Sequence, residues 1–200
     1  MLRFEASQLA KALQKWLGNP GKLEPFERLV YGTIRGTPMF LETEFLSLAQ
    51  AIESFHRLTD DTTVMNPVQF ADLRKSIAAA IDQRCSDPIA ARLKEAIRFA
   101  NEPSFQARID ALLGRLPSEA VVKLLGDPQA FGQALRQTRN YLTHQGGKVQ
   151  SHVVTDTGEL YRMNQKLHAL LRFLLLTHLG FPPELVLEPV YNQASRRTLL

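Results

Sequence analysis

Proline-led helix starts recur along this chain, and they leave little room for any architecture other than helices joined by short connections. They occur at Glu24-Pro25, Asn66-Pro67, Asp87-Pro88, Glu102-Pro103-Ser104, Leu116-Pro117-Ser118-Glu119 and Asp127-Pro128. Proline presets the backbone for a first helical turn and lacks an N–H that would go unpaired there, and an Asn or Asp just before it can cap the turn. The segments between these points have apolar residues at helical spacing. Leu9, Leu13, Trp16 and Leu17 mark a first helix stopped by Gly18-Asn19-Pro20-Gly21, and Phe26, Leu29 and Val30 mark a short second one. Phe45, Leu48, Ala49, Ile52 and Phe55 form a long core-facing stripe on a helix over about 39–57. Helices are expected over about 67–84, 88–100, 103–113, 117–125 and 128–144, and a Leu-rich one over about 159–179 ended by Gly180 and Pro182-Pro183. Only 149–158, with Val149, Val153 and Val154 around Thr155-Asp-Thr-Gly158, suggests a short hairpin or irregular loop. The expected fold is an all-α, antiparallel helical bundle.

The break in pattern at Tyr31-Gly-Thr-Ile-Arg-Gly-Thr-Pro38 divides this reading into an N-terminal helical extension or connector over 1–38, a bundle over 39–182 and a tail over 183–200. A chain of 200 residues, 44% hydrophobic and 22% charged, suffices for one core of ordinary size. The longest apolar run, Leu167 to Leu179, contains His168, Arg172 and His178 and is too short and polar to span a bilayer. Met1-Leu-Arg-Phe-Glu-Ala-Ser-Gln lacks the pattern of a signal peptide, so a cytoplasmic location is expected. The single Cys85 has no CxxC partner, and the histidines are widely spread, so no metal site and no cofactor are expected. Glu53-Ser-Phe-His56 matches half of a di-iron bundle motif but has no second copy, and Glu53 reads better as a partner for a bundle cation such as Arg139. No phosphate-binding Gly-rich loop and no Gly-x-Ser-x-Gly occurs. The net charge of +4 is compatible with a polyanionic partner without specifying one.

The chemistry concentrates in the run from Ala134 to Gly147. Wound at about 100° per residue, it aligns Phe131, Leu135, Thr138 and Leu142 on a core-facing stripe. The opposite side carries Arg136, Asn140 and Thr143, with Arg139 and His144 about 140° apart at its two edges. RNA can be cleaved by a base that takes the 2′-hydroxyl proton together with a cation that stabilises charge on the phosphorane. Imidazole exchanges protons near neutral pH, and guanidinium stays charged and makes forked contacts to phosphate. His144 is therefore the expected general base or acid, Arg139 the electrostatic stabiliser, and Asn140 a group that orients the imidazole or binds phosphate. Glu53, Thr143 and Arg136 are expected in support. Since Arg139 and His144 lie at opposite edges of one strip, two-fold pairing of motif helices would bring Arg139 of one copy to His144 of the other, so a homodimer acting on RNA is expected.

Arg139, four intervening residues and His144 also match the Arg-x4-6-His signature of HEPN domains, and the chain resembles that family. Phe45 to Arg57, with Glu53 near its end, is similar to the opening helix of the HEPN domain at the C-terminus of ApeA-type anti-phage defence proteins. Leu93 to Leu113, including Phe99-Ala-Asn-Glu102, is similar to its middle. The similarity covers about 39–180. It implies a metal-independent endoribonuclease acting as a dimer, with Arg and His from two facing motif helices in a joint cleft. In such proteins the domain follows a larger sensing region, which nothing here resembles, so 1–38 is expected to be a connector. The tyrosine that some HEPN toxins carry after the His, as an adenylylation site, has no counterpart at Gln145-Gly146. The rival expectation is a non-catalytic helical module that dimerises or binds RNA while Arg139 and His144 serve structure.

Overall fold

In a computed structural model of the chain, which describes residues 5–18, 21–35, 39–144 and 151–198, every regular element is a helix. They run α1 (Ala6–Leu17), α2 (Glu24–Arg35), α3 (Leu41–Thr59), α4 (Pro67–Arg84), α5 (Ile89–Arg98), α6 (Phe105–Gly114), α7 (Ser118–Leu125), α8 (Pro128–Thr143), α9 (Thr157–His178) and α10 (Pro183–Thr198). The caps are those the sequence favours. Asn66 accepts from the N–H groups of Val68 and Gln69, Asp127 from those of Gln129 and Ala130, Ser104 from Ala107, and Asp156 from Glu159. At Pro88 and Pro117 the proline itself occupies the cap position.

The stripe on α3 carries the core. Phe45, Leu48, Ala49, Ala51, Ile52 and Phe55 are all buried, and α3 packs against α2, α6, α8 and α9. Helix α9 buries Leu160, Met163, Leu167, Leu170, Leu171, Phe173 and Leu174, and packs against α3, α7 and α10. The first turn of α3 meets the middle of α9 where Glu44 accepts from Asn164 Nδ2 at 3.1 Å and lies 2.8 Å from His168 Nε2. α4 contributes nothing to the core and packs on α5, leaving Val68, Leu73 and Ile77 exposed. The base of this helical arm is clipped by Asn101, whose side chain accepts from the Met65 N–H at 2.8 Å and donates to the Met65 carbonyl at 3.0 Å.

Three parts of the expected organisation change. The break at 31–38 is narrower than its composition suggests, because α2 continues through Gly32 to Arg35, while Gly36-Thr37-Pro38 lies outside the described residues. Within the expected 1–38 extension or connector, α2 packs into the bundle: Phe26 and Val30 are buried in the same core as α3, and the Phe26 and Phe55 rings lie 5.0 Å apart. Nor is 183–200 a tail. The Pro182-Pro183 pair that stops α9 also starts α10, after a turn in which Gly180 adopts φ of 98°, a conformation that favours glycine. α10 buries Val186, Leu187 and Val190 and is tied to α7 by the Lys123–Glu188 ion pair. The 149–158 segment contains no strand among its described residues. Residues 151–156 are irregular and fastened to α8, with Thr138 Oγ1 accepting from Val154 N at 2.9 Å and Gln137 Oε1 from His152 N at 3.2 Å, and 157–158 open α9. The Gly146-Gly147 stop lies outside the described residues.

Because Phe26 belongs to the central core, Phe26→Ala is expected to lower unfolding free energy by about 3–5 kcal/mol. Urea titration of the full chain followed by circular dichroism measures this, and a loss below about 1 kcal/mol would show α2 to be peripheral.

Candidate active site

Burial on α8 follows the expected helical period. Phe131, Leu135 and Thr138 are buried and Leu142 packs partly against the core, whereas Asn140, Thr143 and His144 are exposed. Arg139 is intermediate, its side chain 35% exposed, and three neighbours fix it. Glu53 Oε2 on α3 lies 3.6 Å from its Nη2, and Asn140 Oδ1 accepts from Nη1 at 3.4 Å. The guanidinium carbon stands 5.3 Å from the centre of the Phe105 ring at the start of α6. An exposed ion pair of this kind contributes only about 0–1 kcal/mol. Its consequence is positional: it removes rotamer freedom from a long side chain while leaving part of the guanidinium open to solvent.

The other expected residues are placed as follows. His144 is the C-cap of α8, its N–H donating to the Asn140 carbonyl at 3.0 Å, and its ring makes no hydrogen bond to another described residue. Asn140 directs its side-chain oxygen to Arg139 and not to the imidazole. Thr143 donates its hydroxyl to the Arg139 carbonyl at 2.7 Å, so it braces the last turn of its own helix. Arg136 is half-buried and lines a groove of about 710 Å³ between α6 and α8, together with Arg139 and Asn140.

Behind Arg139 lies a chain of charges that composition and spacing did not reveal. Glu53 also accepts from Arg57 at 3.1 Å, one helical turn on. Arg57 Nη1 reaches Glu102 at 2.6 Å, and the same carboxylate oxygen accepts from Arg108 Nη2 at 3.1 Å. Arg108 is buried, with 4% of its side chain exposed, yet Nε donates to the Pro103 carbonyl at 3.1 Å and Nη1 meets His56 Nδ1 at 3.1 Å. Guanidinium can only donate, so Nδ1 must accept, and the ring carries its proton on Nε2, 3.7 Å from Asp60 Oδ2. Asp60 pairs in turn with Arg115. Burial, helped by the nearby charges of Arg108, Arg115 and Arg57, pushes the His56 pKa down to about 4. The one advance signal was the Glu53–Arg57 spacing of four residues, a common helical ion pair.

Residues 46–185 match the family described as Apea-like HEPN. The chain belongs to this family. No curated protein and no solved structure matches it. The matched span takes in Glu53, Arg139 and His144, so the HEPN region includes the motif helix and the α3 face on which Arg139 rests. Among the described residues of this HEPN chain, no group of three or more His, Cys, Asp or Glu side chains is arranged to hold a metal ion, and no helix is long and apolar enough to cross a membrane.

The buried neutral imidazole has a pH signature. Below about pH 6.5 the unfolded chain protonates His56, whereas the folded chain resists until about pH 4. Stability should therefore fall as pH drops through that window, by at most about 3 kcal/mol from this group. His56→Asn, which can keep an acceptor toward Arg108 without titrating, is expected to flatten the slope. Urea midpoints at pH 7, 5.5 and 4.5 measure it, and equal slopes in both proteins would remove His56 as the cause.

Proposed function

We propose that this chain is a metal-independent endoribonuclease of the HEPN type, working as the effector of an anti-phage defence system. The observation that carries the reading is the state of Arg139: a guanidinium oriented by Glu53, Asn140 and Phe105, still open to solvent, at the rim of a groove, with an exposed His144 at the end of the same helix. Such an arrangement suits a phosphate in the groove mouth, with Arg139 donating to a non-bridging oxygen. His144 takes the 2′-hydroxyl proton, the 2′-oxygen bonds to phosphorus, and the bond to the 5′-oxygen breaks, that oxygen leaving with a proton from a second imidazole or water. Preorganised charge, and not acid–base strength alone, lowers the barrier, because the guanidinium is already aimed before charge develops on the phosphorane. The wide angle between Arg139 and His144 on one helix favours a homodimer in which Arg139 of one copy serves the His144 side of the other. RNA is the expected partner, and an N-terminal sensing region outside this chain the expected regulator.

Cleavage should persist in EDTA and leave 2′,3′-cyclic phosphate ends or their hydrolysis product, and DNA of the same sequence should resist. His144→Ala is expected to lower the rate ~10²–10⁴-fold. Arg139→Lys should restore little of what Arg139→Ala loses, because the fork is gone. If both variants keep wild-type circular dichroism and wild-type cleavage rates, the reaction does not use this pair, and a structural or RNA-binding role for the domain becomes the better reading. A solution mass of one chain with full activity would separately reject the dimer.

A further inference from the structure

The groove beside Arg139 has two chemically unlike walls. Along α8, Gln129, Gln133, Arg136 and Asn140 follow one another at helical spacing and share a face, so this wall offers amides and a guanidinium. The facing wall is the first part of α6, where Gln106 Nε2 donates to Asp110 Oδ1 at 2.9 Å. Its acceptor is the exposed Asp110 carboxylate, which is engaged by no described residue other than Gln106. Arg136 and Asp110 carry opposite charges and line the same groove, yet neither forms an ion pair with any described residue. Between the walls, Gly132 faces Gln106. A Cβ there would stand 3.0 Å from Gln106 Nε2 and 3.6 Å from Ile109 Cγ2, so the Gln106 side chain lies directly against the α8 backbone.

Building on the ribonuclease reading, we propose that this groove is a base-recognition subsite that seats the nucleotide next to the cleaved phosphate and prefers guanine. Unstacked RNA bases are read by hydrogen bonds along their edges. Among the four, guanine presents the split that the groove complements: O6 and N7 accept, which suits Arg136 and the α8 amides, and N1–H and the 2-amino group donate, which suits Asp110. Uracil lacks the paired donors, and adenine has no carbonyl for the guanidinium. A volume of about 710 Å³ lies in the range of sites for small ligands. The subsite adjoins Arg139 directly, so a base held there brings its own phosphate to the reacting guanidinium.

The test uses the full chain and two sets of short RNA oligonucleotides, each with one guanosine, inosine, adenosine or uridine in an otherwise uridine- and adenosine-free tract of cytidines. The first set is cleavable, and its product ends are mapped. The second is 2′-O-methylated and read by fluorescence anisotropy, which requires no turnover. Cleavage next to guanosine and at least ~10-fold tighter binding of the guanosine oligonucleotide than of the adenosine one are expected, with inosine between them. Asp110→Asn and Arg136→Ala should each reduce the guanosine-to-adenosine ratio to below ~3-fold. Cleavage without base preference, or a preference that survives both variants, overturns the subsite and leaves the ribonuclease reading standing. Absence of cleavage with a guanosine binding preference that both variants abolish keeps the subsite and removes the ribonuclease reading. A change in solution mass in Asp110→Asn, with the binding ratio intact, would show the groove to be a contact between copies and would also overturn the proposal.

Discussion

A buried guanidinium sets the constraint around which the candidate site is arranged. Arg108 sits within the bundle with 4% of its side chain exposed, where an uncompensated charge would cost several kcal/mol. Three groups supply its partners: His56 on α3, Glu102 in the connection before α6, and the Pro103 carbonyl beside it. Satisfying the charge therefore fixes α3 against the start of α6. Those two elements also hold the groups that position Arg139, namely Glu53 on α3 and Phe105 at the start of α6. A contact that adds little net stability can in this way fix the geometry of a site at the far end of a run of ion pairs.

The alternation of signs makes the arrangement directional. Reading outward from Arg108, the sequence Glu102, Arg57, Glu53, Arg139 alternates charge at each step. Each carboxylate is shared by two guanidiniums, so Glu53 cannot turn wholly to Arg139 without loosening Arg57. Arg139 is thus held at 3.6 Å, closer to an electrostatic tether than to a full hydrogen bond. A phosphate entering at Arg139 competes with half of one carboxylate's attention and not with a saturated salt bridge. The partial exposure of the guanidinium and the looseness of its tether suit a group that must exchange partners.

How much could be read from the residues depended on whether a signal was local. The helices of the central bundle, the caps at Asn66 and Asp127 and the buried stripe of Phe131, Leu135 and Thr138 rest on spacing within about a turn or two, and their backbone preferences agree with their burial. The Glu53 to Arg139 contact was accessible because both residues stood on recognisable faces. Phe26 and Val30 were misjudged because a short helix next to Gly32 and Gly36 reads as a linker, while what secures it is a ring contact with Phe55 from another element. Likewise Pro182-Pro183 reads so clearly as a helix stop that its second role, starting α10, does not show in the local pattern. The links from His56 to Arg108 and from Arg57 to Glu102 span dozens of residues with no periodic trace, so only the folded chain brings them together.

The same distinction explains why α8 carries so much. One face of this helix is committed to the core through Leu135 and Thr138, and Thr138 also fastens the returning chain by accepting from Val154 N–H. Its other side is free to vary chemically without loss of packing, and there the charged and amide residues collect. Gly132 marks the boundary between these duties. It is buried with the stripe, and the end of the Gln106 side chain rests where a Cβ would otherwise stand. Alanine at that position would stiffen the helix and add apolar contact with Ile109, while the end of the Gln106 side chain would have to give by a few tenths of an ångström.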